Sequence, residues 1–261
     1  MTESRFIRIL CFAILAILLL PQSVDAAKRA PVTEKIVFIP HDSRPISSKQ
    51  TADVVQHVGY DVIVPPQELL GNREDWGHPD ELWTWLEQNL AQPGVKAAVI
   101  SSDAMIYGSL VGSRKHSFTR AQVLERAARF EGLQKSHRKI PLYVFGSIMR
   151  TPRTGEASGH EEPEYYRRYG ADIFRYTVLR DKDEVEGLTR RERKEYDFLG
   201  RLIPKEALAD WMGRREKNYV VNEYLIDLLR KHNTFRYLSL GRDDNAPFSQ
   251  THLESRYLSA A

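Results

Sequence analysis

Lys35–Pro40 (KIVFIP), running straight into His41-Asp42-Ser43-Arg44-Pro45, is the stretch that decides the fold. Ile36, Val37, Phe38 and Ile39 form an unbroken apolar, mostly β-branched run that ends at a proline. Continuous rather than alternating apolarity is the mark of a strand buried on both faces, as in a parallel sheet. The same grammar recurs downstream. Tyr60–Val64 (YDVIV) stops at Pro65-Pro66, and Val95–Ser101 (VKAAVIS) gives way to Ser102-Asp103. Ile140–Ser147 (IPLYVFGS) leads to Met149-Arg150, and Phe235–Leu240 (FRYLSL) to Gly241-Arg242-Asp243-Asp244-Asn245.

Helical segments fill the gaps. Ser47–Val58 carries Ala52, Val55 and Val58 at helical spacing, and Gly59 ends it. Pro79–Leu90 places Leu82, Trp83, Leu86 and Leu90 on one face, with Pro79 suited to the first turn. Thr119 caps a helix to Ser136 with the stripe Val123, Ala127, Phe130, Leu133. From Pro152 to about Gly213 the pattern becomes highly charged helices rich in Tyr and Arg, followed by an amphipathic helix over Asn218–His232. Gln250–Leu258 begins another helix. Strands alternating with helices predict an α/β domain over residues 35–261: a mostly parallel sheet flanked by helices, either open and doubly wound or part of a (β/α) barrel. The charged helical segment, 150–216, is an insertion after the fourth strand. No internal repeat is present.

Residues 1–26 predict a cleavable signal peptide: Arg5 and Arg8, the apolar run Ile9–Leu20, Pro21, then Val24-Asp25-Ala26 before Ala27. Twelve apolar residues reach only about 18 Å, short of the ~30 Å hydrocarbon core, so no lasting membrane anchor is expected. Residues 27–34 read as a linker. The expected location is secreted, periplasmic or cell-surface. The single cysteine, Cys11, lies inside the apolar run, which leaves the remainder without a disulfide or a thiol nucleophile.

Charge argues against nucleic acid. The chain has 38 Lys and Arg against 35 Asp and Glu, and Arg150–Glu216 holds 15 of each sign. Interleaved signs describe solvated helix faces, whereas a phosphate-backbone surface segregates its cations. The sequence contains no dinucleotide-binding, P-loop, nucleophile-elbow or zincin motif. His41 beside Asp42 has no second histidine at a strand end to complete a metal site, while His116 and His160 fall in loops.

In a parallel sheet the C-terminal strand ends share one edge, so Asp42, Arg44, Asp103, Arg150, Asp243 and Asp244 are expected to face a common cleft. Taken singly, each has a plainer role as helix cap, turn former or surface ion pair. Four successive ends carrying carboxylates or arginines suggest a site. As a hydrolase of a sugar or cell-envelope glycan, the chain would divide acid and base roles between Asp243 and Asp244, with Asp103 as the alternative partner. Asp42, Arg44, Tyr107, Arg114 and Arg150 would bind substrate, and Tyr107, Trp76 and Tyr143 would offer aromatic faces to stack on sugar rings. As a non-catalytic module, it would hold a sugar or anion through Arg44, Arg114 and Arg150. A metal-dependent hydrolase would use Asp42, Asp103 and Asp243 around Mg²⁺, Ca²⁺ or Mn²⁺, although no cofactor is required by the other two readings.

At these same segments the chain resembles a bacterial family catalogued as domain of unknown function 4127. The pattern P-x-D-x-R-P is met by Pro40, Asp42, Arg44 and Pro45. The pattern D-x-x-x-Y-G-x-L-x-x-S-R is met by Asp103, Tyr107, Gly108, Leu110, Ser113 and Arg114. Ile148-Met149-Arg150 matches I-M-R, and Asp243, Asp244 and Pro247 match D-D-x-x-P. Ser43, Ser109 and Arg242 stand where the family pattern has Asp, Gly and Gln. The resemblance implies a longer protein of which this chain is the N-terminal half. A shortened chain would leave apolar surface uncovered and favour self-association.

Overall fold

The computed structural model describes residues 34–154 and 159–260; the expected signal peptide and residues 27–33 of the linker lie outside them. Five strands are present among the described residues: β1 (Lys35–Ile39), β2 (Asp61–Ile63), β3 (Val95–Ser101), β4 (Leu142–Ile148) and β5 (Tyr237–Arg242). They form one all-parallel sheet in the order β2-β1-β3-β4-β5, with β2 and β5 at its edges. The sheet is therefore open, and the barrel alternative falls away.

The α-helices of the described residues are α1 (Lys49–His57), α2 (Pro79–Leu90), α3 (Ser102–Tyr107), α4 (Leu110–Lys115), α5 (Arg120–Ser136), α6 (Glu164–Val185), α7 (Arg190–Leu202), α8 (Lys205–Arg230) and α9 (Gln250–Ala260). Right-handed crossovers dictate which face each one covers. The chain steps from β1 to β2 in one direction and from β2 onward in the other, so α1 lies on one face and α2, α5 and α8 on the opposite one. The main core confirms this: Leu82, Leu86 and Leu90 of α2, Val123, Phe130 and Leu133 of α5, and Val221, Leu225 and Leu228 of α8 pack on Val37, Ile39, Ile100 and Val144. Each fully buried aliphatic side chain of this kind is worth about 1.5–3 kcal/mol. The other face carries a small cluster of Phe38, Ala52 and Val62. Beyond α1 it leaves Tyr143 and Tyr237, paired across β4 and β5, 37% and 60% exposed.

The charged segment has its own apolar logic. Tyr166, Ile173, Leu179, Leu199, Ile203 and Trp211 make a second core together with Met149 at the end of β4. Its tyrosines turn rings inward, which explains a tyrosine-rich composition in a stretch of otherwise solvated charge. This core seats α6, α7 and the start of α8 above the C-terminal edge of the sheet.

Several boundaries differ from the sequence reading, most by one or two residues, and two differences have a clear physical cause. The helix expected to begin at Asn218 is the second half of the 26-residue α8. Gly213 does not stop it, because that residue faces open space and costs the helix only its intrinsic penalty of about 1 kcal/mol. β5 begins two residues later than expected: Phe235 turns into the main core, and Arg236 N pairs with Leu142 O before the ladder starts.

Candidate anion site at the strand ends

The order 2-1-3-4-5 reverses between β1 and β3, which opens a crevice outside the carboxyl ends of those strands. Ser101 and Ser109 organise the crevice floor by capping two short helices: Ser101 Oγ accepts from Ala104 N at 3.2 Å and Ser109 Oγ from Gly112 N at 2.9 Å. Between them Gly108 takes φ +94°, and its carbonyl lies against Gly77, where a Cβ would come within 2.2 Å. The stretch after β3 is thus the pair α3 and α4, and its Asp103, Ser113 and Arg114 are buried.

Asp42 is fully buried and builds its own turn. Its Oδ1 accepts from Arg44 N at 3.2 Å, and its Oδ2 meets Arg44 Nε at 2.9 Å and Nη2 at 2.6 Å. A carboxylate two residues before an arginine can satisfy both its backbone and its guanidinium. This hydrogen bond outweighs the desolvation of Arg44 and raises its pKa.

Glu161 is the hub of the site. Its Oε1 lies 2.9 Å from Arg73 Nε and 3.7 Å from Arg44 Nη1, and its Oε2 lies 2.7 Å from Arg114 Nη1 and 3.1 Å from Arg150 Nη2. Burial alone would raise its pKa, but Arg114, Arg150 and Arg44 together hold it below the usual glutamate value. Arg114 is itself buried, pairs through Nη2 with Asp243, and keeps Nε without a hydrogen-bond partner. Arg150 Nε donates to Glu162 Oε1 at 2.9 Å. Glu162 is more deeply buried than its neighbour, and there desolvation prevails over Arg114 and Arg150 and raises its pKa. Its Oε2 has no partner.

Of the residues singled out in the sequence, Asp42, Arg44, Arg114, Arg150 and Asp243 are joined through this network. Asp103 lies deeper: its Oδ2 is 3.2 Å from His41 Nδ1 but is not aligned for a hydrogen bond, while that nitrogen also faces Ser101 Oγ at 2.9 Å. Tyr107 is buried and stacks on His116, and its hydroxyl has no partner. Burial, then the charge of Asp103, raises its pKa well above the usual tyrosine value. Asp244 is engaged in the loop: it accepts from Thr151 N at 2.8 Å, Ala246 N at 3.2 Å and Ser249 Oγ at 3.3 Å. Tyr143 projects from the partly bare sheet face, and Trp76 is exposed in a shallow groove beside Arg73.

Asp42 and Asp243 each face an arginine, and among the described residues no three His, Cys, Asp or Glu side chains gather as metal ligands. No helix among them is long and apolar enough to cross a membrane. Glu161, Glu162 and Arg73 were missed in the sequence. The adjacent carboxylates just before Pro163, the residue that precedes α6, were the available signal.

A family model described as "Protein of unknown function (DUF4127)" matches residues 36–261. No curated protein and no solved structure matches the chain.

Proposed function

The chain belongs to the DUF4127 family, whose description states no activity, and from the site alone we propose that the protein binds an anionic ligand at the carboxyl edge of its sheet. The observation that carries this reading is the convergence of Arg44, Arg73, Arg114 and Arg150 on a single carboxylate. Guanidinium forks match the oxygens of carboxylates and phosphates, and of the four the buried Arg114 is costly unless an anion compensates it, whereas Arg73 is largely exposed. The ligand class is a carboxylate- or phosphate-bearing small molecule or glycan unit. Export through residues 1–26 belongs to the same proposal, since it would place the site among envelope glycans. N-terminal sequencing of the protein from the host is expected to begin at or near Ala27. Calorimetric titration with glucuronate, inorganic phosphate and glucose tests the ligand class. Saturable binding of an anion but not of glucose is expected, and equal binding of glucose would overturn the reading.

One observation favours a second reading, hydrolysis of a glycan. Burial keeps the Glu162 carboxyl protonated to higher pH than an ordinary glutamate, as a general acid requires. Glu162 would protonate the leaving oxygen while the partly exposed Asp243 served as base or nucleophile. A glycan-panel assay on the wild type and Glu162→Gln decides it: turnover that survives the substitution removes Glu162 from the chemistry.

A further inference from the structure

Glu161 is held in a different way from the other carboxylates of the site. Asp42 is fixed by the backbone amide of Arg44, and Asp244 by two backbone amides and a hydroxyl. Among the described residues every group paired with the Glu161 carboxylate is a guanidinium, and the four come from separate segments: Arg44 after β1, Arg73 after β2, Arg114 on α4 and Arg150 after β4. Each carboxylate oxygen faces two of them, and Arg114 Nη1 makes the hydrogen bond while the others act through charge. A free carboxylate or a phosphate monoester in a binding site is likewise surrounded by guanidinium groups converging from several elements, with no covalent tie to any.

The segment carrying Glu161 is suited to yield. It forms a single 3₁₀ turn, Gly159–Glu161, whose geometry is poorer than that of an α-helix, and whose backbone is tied to α4 through the His160 carbonyl, which accepts from the Lys115 side chain at 2.8 Å. Its immediate neighbour Glu162 is almost wholly buried against Arg150, so the chain is pinned on one side of Glu161. The Glu161 side chain retains 13% exposure and so has a way out toward solvent. Asp42, at 0%, has none.

We infer that Glu161 occupies the seat of the site's own ligand, and that a carboxylate- or phosphate-bearing molecule binds by displacing it from Arg44, Arg73, Arg114 and Arg150. This rests on the anion-binding reading above and adds an internal competitor to it. Only the fraction of molecules with Glu161 withdrawn can take ligand, and the apparent dissociation constant exceeds the intrinsic one by the inverse of that fraction. Selectivity follows as well, because a ligand must outcompete an attached carboxylate, and neutral sugars or weakly held single charges fail to do so.

The test is calorimetric titration of the purified wild type, Glu161→Gln and Glu161→Asp with inorganic phosphate and, separately, glucuronate. Far-UV circular dichroism and a thermal melt accompany each protein. Glu161→Gln is expected to bind at least one probe about tenfold or more tighter than wild type, since the charged competitor is gone. Glu161→Asp keeps the charge on a side chain one methylene shorter and is expected to fall between the two. Which probe gains more distinguishes a phosphate ligand from a carboxylate. If Glu161→Gln fails to fold, Glu161→Asp carries the comparison, and binding no tighter than wild type overturns the inference. Wild-type binding that weakens or stays the same in both variants shows Glu161 to be a structural partner; the displacement then fails and the anion-binding reading stands. Absence of saturable binding in all three proteins overturns both.

Discussion

Arg114 Nη1 meets Glu161 Oε2 at 2.7 Å while its Nη2 turns to Asp243, so one buried guanidinium joins the segment before α6 to the end of β5. The two contacts need the planar fork, and a lysine ammonium offers a single point of charge. Arg114→Lys is therefore expected to weaken glucuronate or phosphate binding roughly tenfold or more despite conserving charge. Calorimetry checks it. Unchanged affinity would mean that the ligand sits elsewhere than on this fork.

The neighbours Asp243 and Asp244 are expected to separate cleanly on mutation. Asp244 satisfies Thr151 N and Ala246 N and so ties the loop after β4 to the loop after β5. Asp244→Ala leaves those amides without their partner and is expected to cost about 1–3 kcal/mol of unfolding free energy. Asp243 is 31% exposed and faces Arg114. Asp243→Asn is expected to change anion affinity, or turnover if the protein is a hydrolase, with a stability change under about 1 kcal/mol. Urea melts and ligand titrations of both variants make the comparison. A stability loss of equal size in both would remove the distinction.

Much of the sheet could be read from the chain because its strands are uniform. KIVFIP and VKAAVIS are continuous apolar runs, and burial on two faces leaves little ambiguity about what they form. The site was legible only where residues stand at strand ends. Asp42, Arg44, Arg150 and Asp243 could be placed by topology alone. Glu161 could not, since Arg114 lies 47 residues away along the chain and the intervening pattern mixes charges of both signs. In that company a carboxylate looks like one more solvated charge; only the second core of Tyr166, Ile173 and Trp211 brings its segment over the sheet edge. Tyr107 misled in the opposite sense. An aromatic beside a strand-end aspartate suggests a sugar platform, yet capping by Ser101 turns that stretch into a helix whose residues face inward.

Arg215 is expected to be among the most sensitive positions of the fold. It is buried, forms a two-point pair with Glu254 of α9 at 2.7 Å for both contacts, and donates to Met149 O and Arg150 O. It thereby locks α8, α9 and the end of β4 together beneath the arginine cluster. Arg215→Met preserves much of the apolar stem but leaves the buried Glu254 carboxylate without its cation and Arg150 O without this donor, while Met149 O keeps Thr251 Oγ1. A loss of about 3–5 kcal/mol is expected, the usual scale for removing one partner of a buried pair. The double variant Arg215→Met with Glu254→Leu is expected to recover part of it. Denaturant unfolding of the three proteins tests this, and a single-mutant loss below about 1 kcal/mol would contradict the described packing.

His116 is expected to make stability depend on pH. The ring is buried between Tyr107 and Phe118, with centroids 4.9 and 5.5 Å away. Asn218 Nδ2 donates to Ser113 O, which leaves Asn218 Oδ1 to accept from His116 Nε2 at 2.9 Å. The neutral Nε2–H tautomer is thus satisfied, whereas a proton added at Nδ1 would be buried without an acceptor. Desolvation therefore lowers the pKa from 6.5 to about 4, and it prevails over the opposing hydrogen bond to Asn218. In the unfolded chain His116 binds a proton near pH 6.5, but in the folded protein not until near pH 4, so unfolding takes up a proton between those values. Stability is fully retained above pH 6.5 and is lost as pH falls, by about 1.4 kcal/mol per unit and about 3 kcal/mol in all. Acid also acts on other groups: Glu161, with a lowered pKa, adds to the loss and Glu162, with a raised one, opposes it. The difference between wild type and His116→Gln isolates the histidine. Urea midpoints between pH 7 and 4.5 are expected to fall more steeply for wild type. Parallel pH profiles would show that His116 is not held neutral by its burial.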